Sequence, residues 1–401
     1  MLRPGPFLIF RPAAEKGALS DLRKIILVPD SFKGSLTAAE VCDILGEVFS
    51  RHFPEAELVR VPLADGGEGS TAAFLSAVGG ERRVVRVQGP FGEEVRAPYA
   101  ILPGKHTAVI EMAACAGLPL AQAAGRLDPG RATTYGVGQM ILDALQIGCR
   151  EILLCLGGSA TNDGGAGCAA ALGVRFLDSS GRSFVPVGDT LHNIAHIDLL
   201  GRAPVLAGAT LKVLCDIKNP LCGPRGAAAV FAPQKGASPD EVLRLDAGLA
   251  HLAAVAEADL GVSVINLPGA GAAGGMGAGA VAFLGATLCP GIELLLDLVG
   301  FDGLLKDASL VLTGEGCIDG QTAQGKVIAG VARRARAAGV PVIAFGGVIG
   351  EGAWALYDMG VTAMVAADRA ALPFAQAAPR AAADLRRAAE DACRLMTLNA
   401  Q

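Results

Sequence analysis

The sequence predicts an α/β protein in which an open parallel sheet, built from both ends of the chain, carries an inserted mixed α/β domain. Three observations point there. Strand-like apolar runs alternate with helix-periodic segments near both ends, an antiparallel hairpin pattern opens the middle, and glycine-rich polar loops follow the apolar runs. The chain has 401 residues, 52% of them apolar, which is ample for two sizeable cores.

Residues 1–22 are expected to form a loose extension, with an apolar stretch too short for a secretory signal. Residues 24–28 read as a strand and 29–36, PDSFKGSL, as a loop. Thr37 and Glu40 make a capping box, after which Val41, Ile44, Leu45, Val48 and Phe49 repeat at helical spacing. A strand over 58–63 leads to ADGGEGS and a helix from about residue 71. This is a βαβ unit, which implies parallel pairing.

From residue 81, ERRVVRVQ, GPFG and EEVRAPYAIL read as strand, turn and strand. TAVIEM follows as a strand, then a helix from about residue 134. Residues 152–156 form a buried strand that opens into GGSATNDGGAG. A strand over 211–217 opens into KNPLCGPRGAAAVFAPQKGA. Ser238, Pro239 and Glu241 start a long helix, and PGAGAAGGMGAG makes a second glycine-rich loop. From residue 309, SLVLTGEG, a helix over 325–338, VPVIAFGG and TAMVAAD restore the parallel pattern. The expected domains are 23–79 with 286–401, and 80–285 inserted between them.

Composition narrows the function classes. The net charge of -5 argues against a nucleic-acid footprint. The ten cysteines form no CxxC pair and several lie in apolar segments, which suits a reducing cytoplasm. No apolar run reaches the roughly 18 residues of a transmembrane helix. His192 and His196 stand four apart, but no neighbour completes a zinc site. The 54 glycines are nearly double the usual share of about 7% and gather in loops. Four lysines, Lys33, Lys218, Lys235 and Lys326, fall in Gly/Pro-rich loops.

Residues 157–165 form the most informative loop. A strand, a glycine-rich loop and a helix start present backbone N–H groups to an anion. Gly157, Gly158, Gly164 and Gly165 permit close approach, while Ser159, Thr161 and Asn162 can bond phosphate oxygens. Carboxylates recur at strand C-termini, where open α/β sheets bind ligands: Asp30, Asp65 with Glu68, Asp163, and Glu315 with Asp319, with Asp216 a fifth. Four such loops argue for Mg²⁺ coordination or proton transfer. Asp65, Asp163 and Asp216 are the metal candidates. Asp163, Asp65, Asp319 and Lys33 are the catalytic ones.

Gly269, Gly271 and Gly274 satisfy G-x-G-x-x-G, yet they lie deep in the chain after a weak strand, not in a first βα turn. GQTAQGKV resembles a P-loop, but Val327 replaces the Mg²⁺-binding hydroxyl; Lys326 can still meet a phosphate or carboxylate. No GxSxG or HExxH occurs, and all five histidines lie outside these loops. Carboxylates, lysines and glycine loops without histidine fit phosphoryl transfer, which needs positioning and charge neutralisation more than covalent chemistry.

The blocks VPDSFKGSLTAAEV, PLADGGEGS, GGSATNDGGAGCAAALG, CDIKNPLCGPRGAAAVFAPQKGA and LTGEGCIDGQTAQGKVIAGVA resemble the bacterial glycerate kinase family of the ATP-dependent, two-domain type, type-1. The resemblance runs from about residue 24 to at least 347. It implies a discontinuous flavodoxin-like domain with an inserted α/β domain. It also implies phosphorylation of D-glycerate with ATP and Mg²⁺, commonly to 2-phosphoglycerate. It does not single out a general base, so roles rest on residue chemistry. Lys33, in a loop with Ser31, Phe32 and Ser35, is expected to hold the glycerate carboxylate. Arg225 and Lys326 are expected nearer the phosphates, with Lys218 among the nucleotide contacts. A kinase of another small hydroxy acid, or a nucleotide-binding regulator without turnover, is the alternative. A monomer or homodimer is expected.

Overall fold

The computed structural model describes residues 22–63, 69–104 and 106–397. The catalytic and metal candidate Asp65, its neighbour Glu68 and nearly all of the expected N-terminal extension lie outside the described residues. In chain order the strands are β1 (Lys24–Leu27), β2 (Glu57–Arg60), β3 (Glu81–Gln88), β4 (Glu94–Ile101), β5 (Thr107–Glu111), β6 (Glu151–Cys155) and β7 (Arg175–Leu177). They continue as β8 (Ser183–Phe184), β9 (His196–Asp198), β10 (Thr210–Leu214), β11 (Thr287–Cys289), β12 (Leu310–Ile318), β13 (Val342–Ile349) and β14 (Ala363–Ala366).

Both ends of the chain build one sheet. Its order is β14-β13-β12-β1-β2 and every pairing is parallel, with Ile25 beside Leu310 and Leu27 beside Leu312. Counted along the chain, that is the flavodoxin-like order 2-1-3-4-5. Residues 81–289 supply a mixed six-stranded sheet, β11-β10-β6-β5-β4-β3, whose β3–β4 and β4–β5 pairs are antiparallel. The expected insert boundary at residue 285 falls short. Gly285 ends the helix Ala272–Leu284 in a left-handed conformation, and β11 just beyond it still pairs with β10. A small sheet, β8-β7-β9, has strands of two or three residues, too short to leave a periodic trace in the sequence.

Strand alternation sorts the core. On β1, Ile25 and Leu27 pack with Val41 and Leu45 of the helix Ala38–His52 and with Leu385 and Ala389 of the helix Ala381–Thr397. Ile26, one residue out of phase, faces the other side. There it shares a buried cluster with Ile292 and Leu295 of the helix Gly291–Leu298, Ile328 and Val331 of the helix Val327–Ala337, and Val109 and Leu153 of the six-stranded sheet. Helices therefore fill the space between the two sheets. The far face of the six-stranded sheet, with Ile110, Ile152 and Leu154, packs on Val137 and Ile141 of the helix Tyr135–Gln146. Both expected capping boxes form: Thr37 with Glu40, and Ser238 with Glu241.

The glycine spacing near 269–279 has a packing reason. Ala273, Gly274 and Gly275 take φ of 53°, 68° and 89°, kinking the chain inside the helical segment. The Gly164 N–H donates to the Gly274 carbonyl at 3.0 Å. A Cβ on Gly274 would lie 2.0 Å from the Thr161 carbonyl oxygen, and one on Gly279 would lie 2.2 Å from that of Gly164. The second glycine-rich loop thus lets two backbones touch. Gly274→Ala, strained and clashing with backbone, should destabilise the protein by about 3 kcal/mol. Gly285→Ala, equally left-handed but facing open space, should cost only about 1 kcal/mol. Urea unfolding of both variants checks the difference, and equal losses would refute the contact argument.

Candidate active site

Two groups of loops at strand C-termini carry the polar chemistry. The first lies in the five-stranded sheet between β1 and β12. From β1 the chain crosses to β2 on one side, whereas from β12 it crosses to β13 on the other. Adjacent strands whose connections diverge leave a crevice at their C-terminal ends. The loop after β1 fills one wall: the Asp30 N–H donates to the Gly314 carbonyl, and a Cβ on Gly316 would lie 3.1 Å from the Lys33 nitrogen. Lys33 is exposed there.

On β12 itself Glu315 is buried, with Lys326 Nζ 3.6 Å from its carboxylate and the Thr322 hydroxyl donating to it. Burial pushes the Glu315 carboxyl above its ordinary range, while Thr322 and Lys326 pull the other way. Lys326 is the N-cap residue of the helix Val327–Ala337, so its charge sits where that helix begins. Asp319 closes the group. Its Oδ1 accepts the Gln321 N–H at 2.8 Å, and with Cys317, Gly320, Gln321, Gly350 and Glu351 it lines an open cavity of about 460 Å³.

The same loop carries three other expected contacts. Phe32 is buried against β12 and belongs to the core, so it is not a substrate contact. The Ser35 hydroxyl donates to the Phe32 carbonyl at 2.9 Å, closing the turn that carries Lys33. The Ser31 N–H bonds the Asp30 carboxylate at 2.6 Å, and its half-buried side chain stays beside Lys33.

The second group is residues 157–165, after β6. Gly157 is half-buried and Gly158 exposed, while Gly164 and Gly165 take φ of 62° and 74° before the helix Ala166–Ala171. Asp163 does not reach the loop surface. It is wholly buried, and its carboxylate accepts from the Thr134 N–H and hydroxyl at 2.8 Å, the Gly165 N–H at 3.1 Å and the Gly167 N–H at 3.3 Å. Burial pushes its carboxyl upward, against the pull of those four donors. A carboxylate so enclosed anchors the loop, whereas the expected roles of base and Mg²⁺ ligand call for one that faces a ligand. Thr161 and Asn162 are also buried, and the Thr161 hydroxyl and both Asn162 amide atoms have no partner among the described residues.

Asp216, an expected Mg²⁺ ligand, has a local structural role: its Oδ1 accepts the Gly291 N–H at 2.8 Å, capping the helix Gly291–Leu298. Lys218 and Arg225 are exposed in the loop after β10, where the Arg225 carbonyl accepts from the Asn219 amide. Two residues to which the sequence assigns no role matter here. Glu111, at the end of β5, accepts from the Gly69 and Thr71 N–H groups, tying the stretch after β2 to the six-stranded sheet. Lys235 is buried, donating to Ser159 Oγ at 2.9 Å and the Thr161 carbonyl at 2.7 Å. Its sequence signal is a lysine in a Gly/Pro-rich loop.

Asp163→Asn would turn an amide NH₂ toward donors and leave Lys235 without its neighbouring carboxylate. Breaking such a buried arrangement should cost about 3 kcal/mol or more. A midpoint in urea unchanged from the parent would show that Asp163 is not an anchor.

The likeness to known proteins is extensive. Residues 25–397 match the model of the glycerate kinase family. The chain is 46% identical over 342 residues to a glycerate kinase of Halalkalibacterium halodurans, covering 85% of this chain and 90% of that protein. It is 44% identical over 341 residues to the glycerate 2-kinase of Escherichia coli, covering 85% and 89%. A crystal structure from Salmonella typhimurium LT2 assigned to a glycerate kinase 2 superposes with a TM-score of 0.83 at 40% identity, over 95% of this chain and 100% of that one. With the match spanning nearly all of both sheets, this chain belongs to the glycerate kinase family.

Proposed function

We propose that this protein transfers the γ-phosphoryl group of ATP, with Mg²⁺, to a hydroxyl of D-glycerate. The observation that carries the reading is the cluster of Glu315, Asp319 and Lys326 at the C-terminal end of β12, with the exposed Lys33 on the loop that packs against the same strand. The loop offers an exposed cation for a small carboxylate, and the strand end offers a lysine and carboxylates for phosphates and protons. The relative named glycerate 2-kinase favours 2-phosphoglycerate as product.

In this reading Lys33, with Ser31 beside it, holds the glycerate carboxylate. Lys326 and the loop 157–165 receive the phosphates, with Lys218 and Arg225 exposed in the loop after β10. The unpartnered Thr161 and Asn162 groups support a polar ligand there. The glycerate hydroxyl attacks the γ-phosphorus, the bond to the β,γ-bridging oxygen breaks, ADP leaves, and the hydroxyl proton passes to a carboxylate. Asp319, in the open cavity, is our choice for that proton, with Asp65 the other candidate.

Mg²⁺ commonly takes one or two carboxylates and completes its shell with water and substrate phosphates. Glu315 and Asp319 fit that demand, although no group of three His, Cys, Asp or Glu gathers for a metal among the described residues. The ion would neutralise phosphate charge. All ten cysteines are free thiols, which supports a cytoplasmic setting. We take the two sheets as two lobes, with the five-stranded one formed by both chain ends, and a monomer or homodimer as the working state.

Two outcomes test the proposal. Coupled ADP release should require D-glycerate, and the product should be a phosphoglycerate. Release with another small hydroxy acid but not glycerate would move the substrate, and no release with any would leave a nucleotide-binding regulator. Loss of a charge-assisted contact costs roughly 1.5–3 kcal/mol, so Lys33→Ala should raise the glycerate KM about tenfold or more. A raised ATP KM with an unchanged glycerate KM would reassign Lys33 to the nucleotide.

A further inference from the structure

Lys235 lies in the short turn Pro233–Lys235, between the helices Ala227–Phe231 and Pro239–Leu260. Its placement is over-determined. The Lys235 N–H donates to the Ala232 carbonyl at 3.0 Å, and the following Gly236, at φ 103°, packs so closely that a Cβ would lie 2.5 Å from the Leu127 carbonyl oxygen. The side chain is 2% exposed and ends on the loop 157–165.

An ammonium donates and never accepts. The Ser159 hydroxyl therefore receives a hydrogen bond from Lys235 and keeps its own proton for another acceptor. No described protein group takes that proton, and Ser159, 8% exposed, follows the exposed Gly158 at the loop tip. The second Lys235 bond, to the Thr161 carbonyl, stops the loop from turning away. We infer that Lys235 is a positioning residue for anion recognition, committing the Ser159 hydroxyl to donate toward an anionic oxygen of the bound substrate.

This rests on the reading that residues 157–165 meet a substrate. The shared chemistry is an anionic oxygen, supplied by an ATP phosphate or by the glycerate carboxylate. Lys235 also has a feature that a plain structural lysine lacks. Burial pulls its ammonium down to about 7, with Asp163 pulling the other way. Asp163 is the charged group facing it, on the same loop that it grips. The chain on either side of Lys235 contributes Ala228, Ala232 and Leu245 to a small apolar cluster.

The test is a double-mutant cycle on the full-length enzyme, with Ser159→Ala, Lys235→Met and the pair. Ser159→Ala should raise the KM of one substrate about tenfold, and which substrate identifies the anion. Lys235→Met should raise the same KM, and the double variant should be no worse than Ser159→Ala alone. Additive losses overturn the inference while leaving the loop reading intact. Unchanged KM values in Ser159→Ala overturn both.

Should Lys235→Met fail to fold, the pH dependence of the parent and of Ser159→Ala decides the matter. In the parent, Lys235 loses its charge as pH rises through about 7, so affinity should fall across that range beyond the change due to ATP itself. In Ser159→Ala the extra fall should vanish. Parallel profiles in the two proteins would overturn the inference.

Discussion

A carboxylate sealed from water must find donors for its oxygens, and at Asp163 that requirement organises the glycine-rich loop. Its four donors come from two places remote in sequence, Thr134 and the pair Gly165 and Gly167. Thr134 in turn accepts the Cys168 N–H at 2.8 Å, so one hydroxyl joins the start of the helix Tyr135–Gln146 to that of Ala166–Ala171. Helix starts expose unbonded N–H groups and favour negative charge, so the buried carboxylate satisfies both at once. Lys235 adds positive charge beside it and grips the loop tip. Glycines in the second loop then press against it, backbone to backbone, leaving it little freedom to rearrange.

The β1/β12 crevice is held by a different device. Because the chain leaves these neighbouring strands in opposite directions, no crossover covers their C-terminal ends. Phe32 pins the loop after β1 into the core, and Ser35 closes its turn, so Lys33 is presented by a fixed frame. Glu315, by contrast, belongs to the strand itself, and its burial is offset by Thr322 and Lys326. One side is a loop on a rigid base. The other is a strand end with its own counter-charge.

Much of this was legible in residue order. Alternation and helical spacing revealed the end-built parallel sheet and the hairpin, and both capping boxes formed where Ser or Thr preceded Glu by three. The sites were less legible. Asp163 and Asp319 both sit among glycines and small polar residues, yet one is enclosed by four donors and the other lines an open cavity. Asp216 looks like a strand-end ligand but caps a helix 75 residues away. Phe32 lies between two serines in a polar loop, yet its ring belongs to the core.

The sequence by itself determined the parallel architecture, the loops at strand ends and the family, because hydrophobic period, capping and long motif blocks are local properties written in residue order. Only the tertiary structure decided which polar residues are enclosed by donors and which stay open to solvent. Burial and hydrogen-bond partners depend on segments that meet from far apart: Lys235 reaches a loop 76 residues before it, and Thr134 a carboxylate 29 residues after it. A carboxylate's role follows from who donates to it, and that is settled when the chain closes.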